Sequence, residues 1–302
     1  MVQDLASAGV EEPSSRYLVH EQDRHGDLLA ADKMPEHIPL IDLSRLMDAD
    51  EADKLRAALQ TWGFFLATNH GIEDSLMDAM MTASREFFRQ PSEEKQKCSN
   101  LVDGNDKHYQ VEGNMLNEYA SKTKKLRDIV LRSIAKLLEI DEDYFVNQIS
   151  NKASGFARLY YYPPRPRPDL VLGLRPHSDG NLLTILFVDD DVGGLQVQRD
   201  GKWYNVPAKP HTLVINLGDC LEIMNNGIFR SPVHRVVTNT EKERLSLAVF
   251  YAVDEETVLE PAPGLLDDKR PPRYRKMMTK HFVAGLYEHF RQGKRFIDTL
   301  KI

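Results

Sequence analysis

Two histidines and an aspartate carry the chemistry this sequence can do. His177 and Asp179 stand two positions apart in Arg175-Pro176-His177-Ser178-Asp179-Gly180, and His234 lies far downstream in His234-Arg235-Val236. Two imidazoles and one carboxylate are the facial donor set of a mononuclear non-haem iron(II) centre, with positions left open for reactants. In an extended strand, residues i and i+2 share a face, so one strand would present His177 and Asp179 to an ion and another would bring His234. Such a pair and a further histidine are common by chance, and the residues that follow say more. Arg244-Leu245-Ser246 comes after the turn-like run Asn239-Thr240-Glu241-Lys242-Glu243. A hairpin centred near Thr240 would set His234 opposite Ser246 and Val236 opposite Arg244, all on one face. An arginine buried among Val236, Ala248 and Phe250 needs an anionic partner for its fork. No acidic residue of the chain obviously supplies one. A small dicarboxylate would, chelating the metal at one end and meeting Arg244 and Ser246 at the other.

Further stretches share this logic: Asn216-Leu217-Gly218-Asp219, Asn225-Asn226-Gly227, Ser231-Pro232-Val233-His234-Arg235-Val236, and, nearer the N-terminus, Trp62-Gly63-Phe64-Phe65 and Asn69-His70-Gly71-Ile72. With His177-Ser178-Asp179 and Arg244-Leu245-Ser246 they resemble the plant soluble 2-oxoglutarate/Fe(II)-dependent dioxygenases, over nearly the whole chain. The opening Pro13-Ser14-Ser15-Arg16-Tyr17 and Ile38-Pro39-Leu40-Ile41-Asp42-Leu43 are similar to the branch of senescence-related and codeine-demethylase-like enzymes.

The resemblance implies Fe(II) on His177, Asp179 and His234, with 2-oxoglutarate chelating it and its distal carboxylate on Arg244, Ser246 and Tyr162. It implies dioxygen and a small-molecule substrate as reactants, ascorbate as reductant, and succinate and carbon dioxide as co-products. The reaction would be hydroxylation of a specialised metabolite, or O-demethylation where the oxidised carbon is a methoxy methyl.

Two departures bear on this. Tyr160-Tyr161-Tyr162-Pro163-Pro164 stands where the family has Asn-Tyr-Tyr-Pro-Pro, so Tyr160 replaces an asparagine near the co-substrate. At Glu112-Gly113-Asn114-Met115 the family carries a few dozen more residues, including strands that line the substrate pocket. Two other readings stay open: a folded metal-binding paralogue or isoform with little turnover, and a related oxidase that does not use 2-oxoglutarate.

Composition narrows the classes. The chain has 302 residues, 41% hydrophobic and 28% charged, with a formal net charge of −7. That charge argues against nonspecific nucleic-acid binding and against a basic membrane-surface patch. No apolar run approaches the ~20 residues of a membrane span, and no secretory signal pattern opens the chain. Cys98 and Cys220 have no paired spacing, as expected of free thiols in a reducing compartment. The expectation is a cytoplasmic monomer that needs neither nucleic acid nor membrane.

The elements that must hold these residues follow from periodicity. Residues 1–150 read as a helical region with a draped or mobile N-terminal arm through about residue 37. A short strand falls at Ile38–Leu43 and another at Phe64–Ala67. Helices are expected at Asp50–Thr61, Asp74–Arg89, Met115–Glu139 and Asp141–Ile149. Within 151–258 the period becomes alternating. Strands are expected at Phe156–Tyr162, Leu182–Val188, Gly194–Arg199, Trp203–Val206, Thr212–Leu217, Leu221–Asn225, Val233–Thr238 and Arg244–Val253, with Asp200-Gly201 as a hairpin turn. Residues 259–302 would form a helix from Arg273 to Arg291 and a tail covering one mouth. The fold class is α+β: a double-stranded β-helix, or jelly-roll, core with flanking α-helices. Bland roles are expected elsewhere: His70 satisfying backbone, His211 at a surface turn, Asp189-Asp190-Asp191 solvated, Asp219 bonding backbone amides, and Phe250 either beside substrate or in the core.

Overall fold

The computed structural model describes residues 28–29, 37–96, 114–149, 155–165, 170–189 and 192–302. In chain order it contains β1 (Leu28–Leu29), β2 (Leu40–Asp42), α1 (Ala49–Thr61), β3 (Phe64–Thr68), α2 (Asp74–Arg89), α3 (Ser92–Gln96) and α4 (Asn114–Leu137). Then come β4 (Phe156–Tyr162), β5 (Leu172–His177), β6 (Leu183–Val188), β7 (Leu195–Arg199), β8 (Lys202–Asn205), β9 (Leu213–Leu217) and α5 (Asp219–Met224). The chain closes with β10 (His234–Val237), β11 (Arg244–Tyr251), β12 (Val258–Leu259), β13 (Met277–Met278) and α6 (Thr279–Arg291).

The strands form two principal sheets. One has the order β1-β8-β7-β10-β5 and the other β2-β3-β9-β6-β11-β4. Their inner faces enclose a cavity of about 360 Å³ that receives side chains from both. The outer face of the six-stranded sheet is covered by α1, α2 and α4. Alternation along β11 shows the division. Leu245, Leu247 and Val249 face the helices in the main core with Leu55, Met77 and Val130, whereas Arg244, Ser246, Ala248 and Phe250 face the cavity. Period 2 in the strand thus separates packing from chemistry. The apolar stripe of α4 does what its 3.6 period requires, burying Tyr119, Leu126, Val130 and Ile134. Among the described residues, no helix is long and apolar enough to cross a membrane.

Several expectations need correction. Leu221–Asn225 lies in α5 and the turn after it, not in a strand. All six α5 residues are buried, and the Glu222 carboxylate accepts the Ser231 N–H at 2.6 Å and the Tyr274 hydroxyl at 2.7 Å. Those tertiary bonds override the local β-like composition. The last helix begins at Thr279, because the segment before it enters β13 and bridges Tyr274 to Lys301. Asp141–Ile149 is turn followed by one short 3-10 segment at Val146–Gln148. The sequence reading expects an extended strand at His177–Asp179, whereas β5 runs over Leu172–His177 and ends there; its alternation before His177 is broken by Gly173 and Pro176. Of the N-terminal arm, Leu28–Leu29 and His37 are described, Leu28–Leu29 paired in parallel with β8. The rest of the arm, residues 97–113 with Cys98 among them, Asp190 and Asp191 lie outside the described residues.

The hairpin near Thr240 is also corrected. A turn is present, with Asn239 Oδ1 accepting the N–H groups of Glu241 and Lys242. The chain nevertheless crosses there from one sheet to the other: β10 pairs with β5 and β7, and β11 with β4 and β6. His234 and Ser246 therefore line one cavity from opposing sheets instead of standing side by side.

Candidate metal and co-substrate site

His177 is the last residue of β5 and is directly paired with His234, the first of β10. Their rings lie 4.3 Å apart between centroids. Asp179 is not on the same strand, contrary to the simplest expectation. The chain leaves β5 after His177, and the Asp219 N–H holds the Asp179 carbonyl at 2.7 Å. The turn, not the pleat, aims the carboxylate. Its Oδ1 lies 3.7 Å from Nε2 of His177 and 3.7 Å from Nε2 of His234. One donor atom from each residue fits within a 4.8 Å group that could hold a metal ion.

The surroundings prepare all three donors. The Nδ1 of His177 lies 2.8 Å from the Arg175 carbonyl and that of His234 3.2 Å from the Pro232 carbonyl. Nδ1–H donation to these carbonyls leaves each Nε2 lone pair free for the shared centre. Asp179 Oδ2 accepts from Thr184 Oγ1 at 2.6 Å and Asn216 Nδ2 at 2.8 Å, which turns Oδ1 toward the imidazoles. Burial pushes the His177 imidazole down to about 4, and the adjacent His234 pushes the same way. Burial alone would raise Asp179, but the two imidazoles, Thr184 and Asn216 hold it below the usual carboxylate range. A neutral imidazole and an ionised carboxylate are the ligand forms a divalent metal needs.

Arg244, at the start of β11, projects into the same cavity at 2% exposure. Its Nε, Nη1 and Nη2 have no hydrogen-bond partner, and its guanidinium lies 5.2 Å from the centre of the Tyr162 ring. Burial lowers its pKa, the mark of a cation kept from water without a carboxylate in contact. Burial pushes the Tyr162 phenol up to about 12, so it stays protonated and can donate. Ser246 is buried beside them, two residues along β11. A desolvated guanidinium with every N–H unspent is costly unless an anion completes it. A carboxylate approaching Arg244, Ser246 and Tyr162 would do so.

Sequence reasoning missed the groups that brace the donors. Thr184 carries no signal, being one polar residue in a buried strand. Asn216 stands in a motif that assigns it no role. Behind the His177–Asp179 turn, Asp219 Oδ2 accepts from Ser178 Oγ at 3.0 Å, and Arg295 donates to Ser178 Oγ at 3.0 Å and to Asp219 Oδ1 at 3.3 Å. The expectation that Asp219 bonds backbone amides is corrected: its carboxylate serves a hydroxyl and a guanidinium. Burial raises that carboxyl to about 6, opposed by Arg295. Asp189 is likewise not solvated: it is 3% exposed and paired with Arg85 of α2 at 2.7 Å. His70 behaves as expected, accepting the Ile72 N–H at 3.2 Å and meeting the His211 carbonyl at 3.0 Å. His211 is partly exposed and lies 2.8 Å from Asp78. Phe250 lines the cavity.

Residues 153–253 match the family described as the 2OG-Fe(II) oxygenase superfamily, and residues 38–142 match the N-terminal family of non-haem dioxygenases in morphine synthesis. Protein SRG1 of Arabidopsis thaliana is 33% identical over 88% of this chain and 86% of its own length. The chain belongs to the 2OG-Fe(II) oxygenase superfamily. Codeine O-demethylase of Papaver somniferum is 31% identical, covering 100% of this chain and 95% of the relative. The crystal structure of JOX2 in complex with 2OG, Fe and JA superposes with a TM-score of 0.84 at 31% identity, over 100% of this chain and 97% of that one. This chain is a 2-oxoglutarate-dependent dioxygenase by family, and its fold is that of the superfamily. The alignment with codeine O-demethylase runs over 343 positions against 302 residues here, so this chain lacks roughly forty positions the relative has.

Proposed function

We propose that the protein is an Fe(II)- and 2-oxoglutarate-dependent oxygenase that hydroxylates or O-demethylates a small specialised metabolite, releasing succinate and carbon dioxide. One observation carries the reading: the buried, unpartnered Arg244 guanidinium shares a cavity with the His177–Asp179–His234 cluster. The three donors would hold iron, and Arg244, Ser246 and Tyr162 would receive the distal carboxylate of 2-oxoglutarate. An oxidase without that co-substrate would leave Arg244 unsatisfied.

Bound iron with its co-substrate and dioxygen supplies the power to oxidise a C–H bond. The chain's own residues do the rest. Thr184 and Asn216 fix the Asp179 carboxylate, the backbone carbonyls fix the imidazole tautomers, and Arg244 fixes the co-substrate's far end. Val283, Leu286 and Phe290 of α6 line the cavity and keep water from the reacting carbon. Ascorbate would maintain the ferrous state, and a reducing cytoplasm suits a monomer of this kind.

The missing positions favour a second reading, in which turnover is weak because the substrate pocket is less enclosed. The test is succinate formation by purified protein with iron, ascorbate and 2-oxoglutarate, with and without flavonoid, alkaloid and phenylpropanoid candidates. Substrate-stimulated succinate supports the oxygenase. Iron binding with no 2-oxoglutarate consumption would reject it.

A further inference from the structure

We propose that Arg158 and Tyr160 form an anion-recognition pair at the cavity mouth, and that the substrate is a small organic acid whose carboxylate is held there. The inference rests on the oxygenase reading above and names its substrate class.

Strand β4 is an edge strand whose alternate residues Phe156, Arg158, Tyr160 and Tyr162 line the cavity. The fully charged side chains among the lining residues are Asp179, Arg244 and Arg158. Asp179 belongs to the metal and Arg244 to the co-substrate, so Arg158 is the charge left to meet the substrate. It forms no ion pair among the described residues. Its guanidinium lies 5.2 Å from the Phe156 ring centre and 6.0 Å from that of Phe250, and those two rings stack at 5.0 Å and 18°. Tyr160 lies two residues along the same face of β4 and lines the same cavity. Rings that support a guanidinium by its face leave its edge N–H groups free, and a carboxylate takes those in bidentate fashion.

The position suits a substrate rather than a second co-substrate. Phe250 pairs with Thr184, whose hydroxyl holds Asp179 at 2.6 Å. Neighbouring strands lie about 4.8 Å apart, so the aromatic shelf stands on the order of 10 Å from the metal donors. A small acid with an apolar body spans that distance, its body against Leu286 and Phe290 and its oxidisable carbon at the centre. A cationic ligand meets repulsion from Arg158, and a neutral one gains no charge-assisted bond. Tyr160 stands where the resembling enzymes have asparagine. Its phenol hydroxyl, in place of an amide, is a second donor beside Arg158 on the cavity face of β4.

The test is anaerobic calorimetry on the full chain loaded with Fe(II) and 2-oxoglutarate. The probes are two matched sets: 4-methoxycinnamic acid with its primary amide, and decanoic acid with decanamide. The iron-to-2-oxoglutarate charge-transfer absorbance is recorded on each sample. At least one acid is expected to bind ten-fold or more tightly than its amide. Arg158→Gln should erase that preference and Arg158→Lys should keep part of it, both with the absorbance intact, and Tyr160→Phe should reduce it about three-fold. Acids that bind no better than their amides, or do not bind at all, overturn the proposal. So does a preference that survives Arg158→Gln. Loss of the absorbance in the unaltered chain would instead refute the oxygenase reading itself.

Discussion

The two ends of the cavity are built differently. At the metal end hydrogen bonds fix almost every polar atom. Asp179 Oδ2 is held by Thr184 and Asn216, both Nδ1 atoms by backbone carbonyls, and the turn behind them by Arg295 and Asp219. At the mouth, Arg158 apart, the groups are aromatic and aliphatic side chains from an edge strand and a covering helix, with Phe156 and Tyr287 exposed. The contrast teaches where constraint lies. Positions set by several hydrogen bonds admit few substitutes, because each lost bond strands a buried polar group. Positions set by apolar packing admit many of similar volume. One end can stay constant while the other changes its ligand.

The largest expected effect tests the constant end. His177→Ala, Asp179→Ala or His234→Ala leaves two protein donors, and iron content should fall from stoichiometric to near zero. Metal analysis of each purified variant checks this. Full iron in two of the three would remove the metal role from this end.

Next comes Arg244→Lys. A point charge replaces a planar fork, and 2-oxoglutarate should bind about 1–3 kcal/mol more weakly. Titration of the charge-transfer absorbance reads the change, and an unchanged midpoint would make Arg244 a structural cation. Ser246→Ala should weaken binding by only about 1 kcal/mol, because a neutral hydrogen bond is lost instead of a charge-assisted one. Thr184→Val tests the brace on Asp179. Metal affinity should drop by roughly 10–100-fold, as is typical when a metal ligand loses its outer partner. An unchanged affinity would show that Asn216 alone fixes the carboxylate.

The same contrast explains what is legible in the sequence. His177, Asp179, His234, Arg244, Ser246 and Tyr162 can all be named from it, and all six line one cavity. Their types are demanded by chemistry, and motifs carry them. How they meet is not legible. Asp179 converges through a turn, and β10 and β11 belong to different sheets, because the crossing at Asn239–Glu243 has the same local turn chemistry as a hairpin. Strand β4 and helix α2 have the bounds their periodicity predicts, since a strong period fixes both ends. Helix α5 reads as a strand because its stability comes from Glu222 contacts to Ser231 and Tyr274, distant in sequence. Thr184 and Arg295 have no local signature at all, because their partners lie elsewhere in the chain.

The smallest effect lies where the two ends touch. Phe290 of α6 sets its ring edge-on to His177, with centroids 5.8 Å apart. It donates nothing to the metal and belongs to the mouth by chemistry, although it borders a donor. Phe290→Ala removes a cover without removing a ligand or a hydrogen bond. Iron content and the 2-oxoglutarate midpoint should therefore stay within about two-fold of the unaltered chain. Water and dioxygen should reach the centre more freely while the substrate is held less firmly against it. The expected change is in coupling: more succinate formed per molecule of oxidised product, by about two- to five-fold if roughly 0.5–1 kcal/mol of substrate positioning is lost. Succinate and product are measured together on whichever substrate the unaltered chain turns over. A variant that loses iron but keeps its ratio would place Phe290 with the metal end, and the division between a braced end and a packed end would have to be redrawn one helix further out.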